Sequence, residues 1–141
     1  MFYGPSKVTT VFEIDGVRFT TLEGFYQEVG EALIPGASWG QNLDAFNDIL
    51  RGGFGTPAEG FTLIWRNAAI SRERLGYPET VRQLEAGLLR CHSTARDEVG
   101  RALARARSNT GPTVFDWIVE IIEDHGVDGA ESEDNVALVL A

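Results

Sequence analysis

The stretch WGQNLDAFNDIL, residues 39–50, decides the fold of this chain because it separates into two faces when it is wound as a helix. At about 100° per residue, one side of that helix is apolar and the other polar. The apolar side carries Leu43, Phe46, Ile49 and Leu50. The opposite side carries Asp44, Asn47, Asp48 and Arg51. The pattern predicts a helix that buries one face and presents a short acidic stripe on the other.

The ends of this helix are marked in the sequence. The side-chain oxygen of Asn42 can cap the first turn, and Gly52-Gly53 is a typical C-terminal stop. Asp44 lies in the first turn, where the helix dipole favours a carboxylate, whereas Asp48 has no such support. Like charges four residues apart cost a helix roughly 0.2–0.5 kcal/mol. The stripe is therefore either a solvated face, with Arg51 paired to Asp48, or a surface that meets a cationic partner.

The elements around this helix alternate between strands and helices. Strands are predicted at residues 9–14, 61–66 and 136–140, where β-branched and aromatic residues are concentrated. Further helices are predicted at residues 21–33, 68–75, 79–107 and 113–125. The third of these is one long helix or two helices broken near Gly87 or Ser93. Strands separated by helices pair in parallel, so we predict an α/β fold with a three-stranded parallel sheet flanked by helices.

The run Trp39-Gly40-Gln41-Asn42-Leu43-Asp44-Ala45-Phe46-Asn47-Asp48 resembles the signature of the barstar family, which comprises small intracellular inhibitors of secreted microbial ribonucleases. The likeness continues at FTLIWRN (61–67), FDWIVEIIEDHG (115–126) and NVALVLA (135–141). It leaves out about residues 71–112, which we interpret as an extra helical insertion. The resemblance implies a barstar-like fold for one domain spanning residues 1–141.

In the barstar family, this helix and the loop before it plug the nuclease active site, and the carboxylates take the place of RNA phosphates. The resemblance therefore implies a ribonuclease-binding surface made of Ser38, Trp39, Gly40, Asn42, Asp44, Asn47, Asp48, Gly52 and Glu120. Relatives often carry aromatic residues at the positions of Ser38 and Asn47. The glutamate that assists binding from the last helix falls in register near Ile121, so Glu120 or Asp124 replaces it only by a shift.

Composition sets the class of protein. Of the 141 residues, 43% are hydrophobic and 23% are charged, which is typical of a globular domain. No run approaches the roughly 18 apolar residues of a membrane span, and residues 1–10 lack the apolar stretch of a secretory signal. The single Cys91 excludes an intramolecular disulfide and a cysteine-built zinc site. We expect a cytoplasmic protein that does not bind membranes.

Charge points to the kind of partner. The formal net charge is −9, and residues 111–141 contain eight acidic side chains and no Lys or Arg. Direct binding of RNA or DNA depends on neutralising phosphates, which an acidic protein does poorly. An acidic protein is well suited to bind a basic protein that itself binds phosphates.

Catalysis is not expected. His92 and His125 are the two histidines, and neither has the spacing of a nucleophile–base pair. His125 closes a helix before Gly126, where a cation suits the helix dipole. Asp44 and Asp48 lie on a convex helix rather than in a cleft. We therefore predict that the protein is not an enzyme, and that it needs no cofactor and no metal.

The segment 71–112 supports a second hypothesis. It contains Arg96, Arg101, Arg105 and Arg107, without the interleaved aromatic residues of a nucleic-acid patch. These arginines either lie in solvent or dock against the acidic C-terminal helix. The main hypothesis is an inhibitor, or immunity protein, of a basic barnase-like ribonuclease. The alternative is a barstar-like interaction module whose arginine-rich helical insertion is the working surface.

Overall fold

A computed structural model describes residues 10–141 and has a three-stranded parallel sheet in the order β1-β2-β3. The strands are β1 (Thr10–Asp15), β2 (Phe61–Arg66) and β3 (Val136–Leu140). The helices are α1 (Leu22–Leu33), α2 (Leu43–Leu50), α3 (Ala68–Arg74), α4 (Tyr77–Arg90), α5 (Arg96–Arg107) and α6 (Val114–Asp124). This confirms the predicted α/β class and parallel sheet, although residue 9 of the first predicted strand lies outside the described residues. None of the helices described in residues 10–141 is both long and apolar enough to cross a bilayer.

The two faces of the sheet have different surroundings. In the register, Phe12 lies opposite Leu63, which lies opposite Leu138, so these three side chains share the face that the helices cover. At alternate positions, Val11 and Val139 are exposed. Since successive side chains of a strand point to opposite faces, this alternation places the core on one side of the sheet.

Helices α1 and α6 begin where the sequence predicts. The Thr21 side chain accepts a hydrogen bond from the Gly24 N–H and caps α1, whose predicted face of Leu22, Phe25, Val29 and Leu33 is buried. Thr113 and Asp116 cap α6 reciprocally, each side chain accepting from the other's backbone N–H. Such a box satisfies two N–H groups that have no partner within the helix.

The predicted helical segment 79–107 consists of two helices. Residues 91–95, including a 3₁₀ turn at Ser93–Ala95, separate α4 from α5, so the break lies at Ser93 and not at Gly87. Tyr77 near the start of α4 donates its phenol O–H to the Gly111 carbonyl beyond the end of α5, which makes the pair an antiparallel hairpin. The segment is therefore helical as predicted, and its interpretation as an insertion stays a prediction.

The first turn of α4 holds the N-termini of two other helices. The buried carboxylate of Glu79 accepts a hydrogen bond from the Leu22 N–H at 2.9 Å, in the first turn of α1. The buried hydroxyl of Thr80 accepts from the Val114 N–H at 2.9 Å, in the first turn of α6. These N–H groups have no partner within their own helices, so α4 caps both of them through tertiary contacts.

The charge of Glu79 is stabilised where it lies. Burial by itself would raise its pKa, but hydrogen bonds from Arg82, from the Leu22 N–H and from Gln83 outweigh burial and lower the pKa. A lowered pKa in the folded state means that the carboxylate stabilises the fold above about pH 4.5. That contribution is lost as the pH falls through the folded-state pKa.

We predict that Glu79→Gln lowers the free energy of unfolding by about 1–3 kcal/mol at pH 7, because hydrogen bonds to a buried charge are lost. The difference from the wild type should shrink between pH 5 and pH 3, and urea unfolding at each pH measures it. Glu85→Gln on the same helix is the control. Glu85 is half exposed and pairs with Arg107, so Glu85→Gln should lower the free energy of unfolding by less than about 1 kcal/mol at every pH measured. Equal costs for the two variants would contradict the prediction.

Candidate partner-binding surface

The loop before α2 is held against α1 by Trp39. The indole of Trp39 is half-buried and meets the Tyr26 ring edge to face, with 5.7 Å between ring centroids. A Cβ atom at Gly30 would lie 2.9 Å from Trp39 Nε1, so only glycine leaves room for this packing. Neighbouring Ser38 and Gly40 are exposed. The loop is therefore anchored at one aromatic residue, with small or polar residues facing solvent on either side.

Helix α2 has the two faces that the sequence predicts, except that Asn47 of the predicted polar face turns inward. Phe46, Ile49 and Leu50 are buried in the core, whereas Asp44 and Asp48 are exposed. The Asn42 side chain accepts a hydrogen bond from the Ala45 N–H at 2.8 Å, which confirms the predicted cap. Burial of the apolar face fixes the rotation of α2 about its axis. Both carboxylates consequently point away from the core.

Beyond α2, the chain turns sharply and is tied back to the helix. Gly52 has φ +94°, a left-handed conformation that favours glycine. The buried Thr56 hydroxyl donates to the Ile49 carbonyl at 2.7 Å and satisfies one of the free carbonyl groups at the helix end. The partly buried Gly52 therefore shapes the turn that follows the acidic face.

Arg51, the C-terminal cap of α2, connects the helix to the acidic segment before β3. Its Nε and Nη2 atoms donate to the two carboxylate oxygens of Glu131 at 2.6 and 2.9 Å. Its Nη1 atom donates to Asp48 Oδ1 at 3.1 Å. The hydrogen bonds from Arg51 lower the pKa of the Glu131 carboxyl, and Glu131 in turn raises the pKa of the guanidinium. Both groups are charged at neutral pH, so the contact is an ion pair.

Asn47 points inward, toward a buried histidine. His125 Nε2 lies 2.6 Å from Asn47 Oδ1, and His125 Nδ1 lies 2.6 Å from Asp134 Oδ2. The His125 ring is fully buried. A carboxylate only accepts, so Nδ1–H donates to Asp134. The Asn47 side-chain amide contains both an NH₂ donor and an oxygen acceptor, so it can pair with Nε2 whether or not that nitrogen carries a proton. The bridge therefore joins α2 to the segment between α6 and β3.

In the same region, three neighbouring side chains of residues 10–141 are of the types that can bind a metal ion. Ligand atoms of His125, Glu131 and Asp134 lie within 4.8 Å of one another. Each already has a partner in the protein: His125 pairs with Asn47 and Asp134, and Glu131 with Arg51. The cluster is accounted for as an internal polar network, and we assign no metal to it. The prediction that the protein needs no metal stays a prediction.

Glu120 is the one predicted surface residue that lies outside residues 38–52. It is exposed on α6 and lines a groove of about 630 Å³ between the end of that helix and β3, together with Glu123, Asp124 and Asp128. No α2 residue lines this groove. In the part of the chain from residue 10 onward, no hydrogen bond or ion pair joins Glu120 to α2. A part for Glu120 in the same binding surface therefore stays a prediction.

Eight of the nine residues predicted for the surface lie within residues 38–52, on the loop, helix and turn just described. This arrangement presents the carboxylates of Asp44 and Asp48 to solvent, where a partner can reach them. The side chain of Asn47 is not part of that exposed face, because it points to His125. Sequence reasoning missed the residues that support the surface from the far end of the chain. Glu131 lies 80 residues after Arg51, and His125 lies 78 residues after Asn47. No local pattern marks either pair.

Comparison with known protein families finds a match over most of the chain. The model of the family described as Barstar (barnase inhibitor) matches residues 9–105, which is more than half of the chain. The match contains β1, α1, α2, β2, α3 and α4, and most of α5. It thus includes much of the segment that sequence reasoning treats as additional, and it ends before α6 and β3. No curated protein matches the chain.

We predict that Asn47→Ala destabilises the fold by about 1–3 kcal/mol, because it leaves a ring nitrogen of the buried His125 without a partner. Urea unfolding at pH 7 measures the change. Asp48→Ala, at the next position, is the matched control and should cost less than about 1 kcal/mol, because its side chain is 57% exposed.

A double-mutant cycle tests the assignment of this cost to the bridge. In a His125→Ala background, Asn47→Ala should cost clearly less than it does in the wild type, since the partner is already gone. An undiminished cost in that background would show that Asn47 stabilises α2 by some other contact.

Proposed function

Because the chain belongs to the Barstar (barnase inhibitor) family, we propose that it inhibits a basic microbial ribonuclease by covering the nuclease active site with α2 and the loop before it. The exposed carboxylates of Asp44 and Asp48 are the observation that supports this best. They are one helical turn apart on a helix that the core holds in place. A nuclease site that binds RNA phosphates offers cations to such a pair.

The electrostatics favour this partner over nucleic acid. With a net charge of −9, the protein repels RNA and attracts a basic protein. Attraction between opposite charges raises association rates, and charge pairs that lose their water on binding slow dissociation. The residues that would form the contact are Ser38, Trp39, Gly40, Asn42, Asp44, Asp48 and Gly52. Asn47 would contribute mainly through its bridge to His125.

The proposed action is binding and not catalysis, in keeping with a family of inhibitors. In the proposed mechanism the protein occupies the site of the substrate and transfers no group, so it needs no cofactor. We place this action in the cytoplasm, where an immunity protein would protect its own cell from a ribonuclease.

The alternative is an interaction module that works through the arginines of α4 and α5. Several of these arginines already have partners within the protein. Arg82 donates to Glu79 and Glu23, Arg107 donates to Glu85, and Arg96 donates to the Leu88 carbonyl. Among residues 10–141, no hydrogen bond or ion pair joins the four arginines of the second hypothesis to α6, so docking against the C-terminal helix, one of the two arrangements left open, is not formed. Internally paired arginines favour the inhibitor over this alternative.

We predict that Asp48→Ala keeps the melting temperature within a few degrees but weakens ribonuclease binding by at least a hundredfold, mostly through faster dissociation. Loss of one partner of a desolvated charge pair costs about 2–5 kcal/mol in binding, whereas loss of an exposed charge costs about 0–1 kcal/mol in folding. Asp44→Ala should weaken binding similarly and destabilise the fold slightly more, since Asp44 also complements the helix N-terminus.

The probes are barnase and a panel of small basic microbial ribonucleases. Inhibition of RNA cleavage identifies the target, and surface plasmon resonance gives the rate constants. Asp97→Ala on α5 removes the same charge away from α2 and should change binding less than threefold. Arg101→Ala with Arg105→Ala tests the alternative surface. The proposal fails if wild type inhibits no ribonuclease of the panel, or if the α2 variants bind as tightly as wild type.

A further inference from the structure

Arg51 stands between two carboxylates that do not hold it equally. Glu131 receives two hydrogen bonds from the guanidinium, at 2.6 and 2.9 Å, and Asp48 receives one at 3.1 Å. A two-pronged contact between arginine and a carboxylate is stronger and fixes the orientation of the guanidinium more firmly than a single contact. The main holder of Arg51 is therefore Glu131, from the opposite end of the chain.

Glu131 is also the better anchored of the two acids. Its backbone N–H donates to the Asp124 carbonyl at 2.7 Å, which ties residue 131 to the end of α6. Its side chain is 29% exposed, compared with 57% for Asp48 and 44% for Arg51. Glu131 thus provides a fixed, partly sheltered site for the guanidinium, whereas Asp48 extends into solvent.

The position of Arg51 matters because it is a cation next to an acidic surface. A guanidinium that moved fully onto Asp48 would neutralise the carboxylate that is proposed to meet the nuclease. It would also bring a positive charge toward a positively charged partner, and like charges facing each other across an interface are strongly unfavourable. With Arg51 held by Glu131, one oxygen of Asp48 has no partner among the described residues.

We propose that Glu131 is a positioning residue of the binding surface: it holds Arg51 and neutralises its charge, so that Asp48 remains available as an anion for the ribonuclease. This inference rests on the proposed function. It extends the functional unit to the acidic segment between α6 and β3, which lies beyond residues 9–105 of the family match.

The test is a double-mutant cycle on Glu131 and Arg51, with binding to the ribonuclease of the panel that wild type inhibits most strongly. Glu131→Ala should weaken binding by roughly tenfold, since it releases Arg51 toward Asp48 and the partner. Glu133→Ala is the matched control. It removes an equal charge from the same segment, and Glu133 is exposed and makes no ion pair within residues 10–141, so binding should change by no more than about twofold.

If Glu131 acts by holding Arg51, its substitution should not affect ribonuclease binding once Arg51 is removed. Arg51→Gln alone should weaken binding less than Glu131→Ala does, and Glu131→Ala added to Arg51→Gln should change binding no more than the Glu133 control does. A purely structural role for Glu131 would persist in the double variant. The inference is wrong if Glu131→Ala and Glu133→Ala weaken binding equally, or if the Glu131 effect is undiminished without Arg51.

A second measurement needs no ribonuclease and separates this inference from the proposed function. The carboxyl ¹³C resonance of Asp48 reports its contact with Arg51. Introducing Arg51→Gln should shift that resonance more in the Glu131→Ala protein than in the wild type, because Arg51 then bonds to Asp48 alone. Equal shifts would overturn the inference even if inhibition is found. Unequal shifts with no inhibition would support the holding of Arg51 by Glu131 and would overturn the proposed function, in which Asp48 binds a ribonuclease.

Discussion

A column of four aromatic rings joins the elements on which the fold depends. Phe46 of α2 packs edge to face on Phe25 of α1, with 5.2 Å between centroids, and Phe25 stacks on Trp65 of β2 at 5.5 Å. Trp65 meets Phe115 of α6 at 5.1 Å. Such rings bury large apolar areas and prefer defined geometries. Because Phe46 can enter this column from one direction only, the opposite side of α2, with its carboxylates, must face solvent.

Helix α2 has eight residues, which is too short to be stable by its own hydrogen bonds. The aromatic column holds its apolar face, and the His125 bridge holds a second side through Asn47. A third contact, from Arg51 to Glu131, holds its C-terminal end. The helix is thus fixed on three sides before any partner arrives. A rigid surface loses less entropy on binding than a flexible one, which suits the proposed inhibitor.

Acidic residues serve different ends in different parts of the molecule. Glu79 is buried and holds the start of α1, and Glu131 is partly sheltered and holds Arg51. Asp44 and Asp48 are exposed, and Asp48 gives one oxygen to Arg51. The first two are tied to neighbouring groups and contribute to the architecture. Asp44 and Asp48 are exposed, so a cationic partner can reach them, and the buried face of α2 fixes where they lie.

The sequence by itself determined the alternation of strands and helices, the caps at Thr21 and Asn42, and the two faces of α2, because periodicity and capping act over a few residues. It also carried the family signature. Only the tertiary structure decided that Asn47 turns toward His125 and that Arg51 binds Glu131. These pairs are separated by 78 and 80 residues. Their geometry depends on how α6 and β3 pack beside α2, and a pattern read along the chain does not contain that packing.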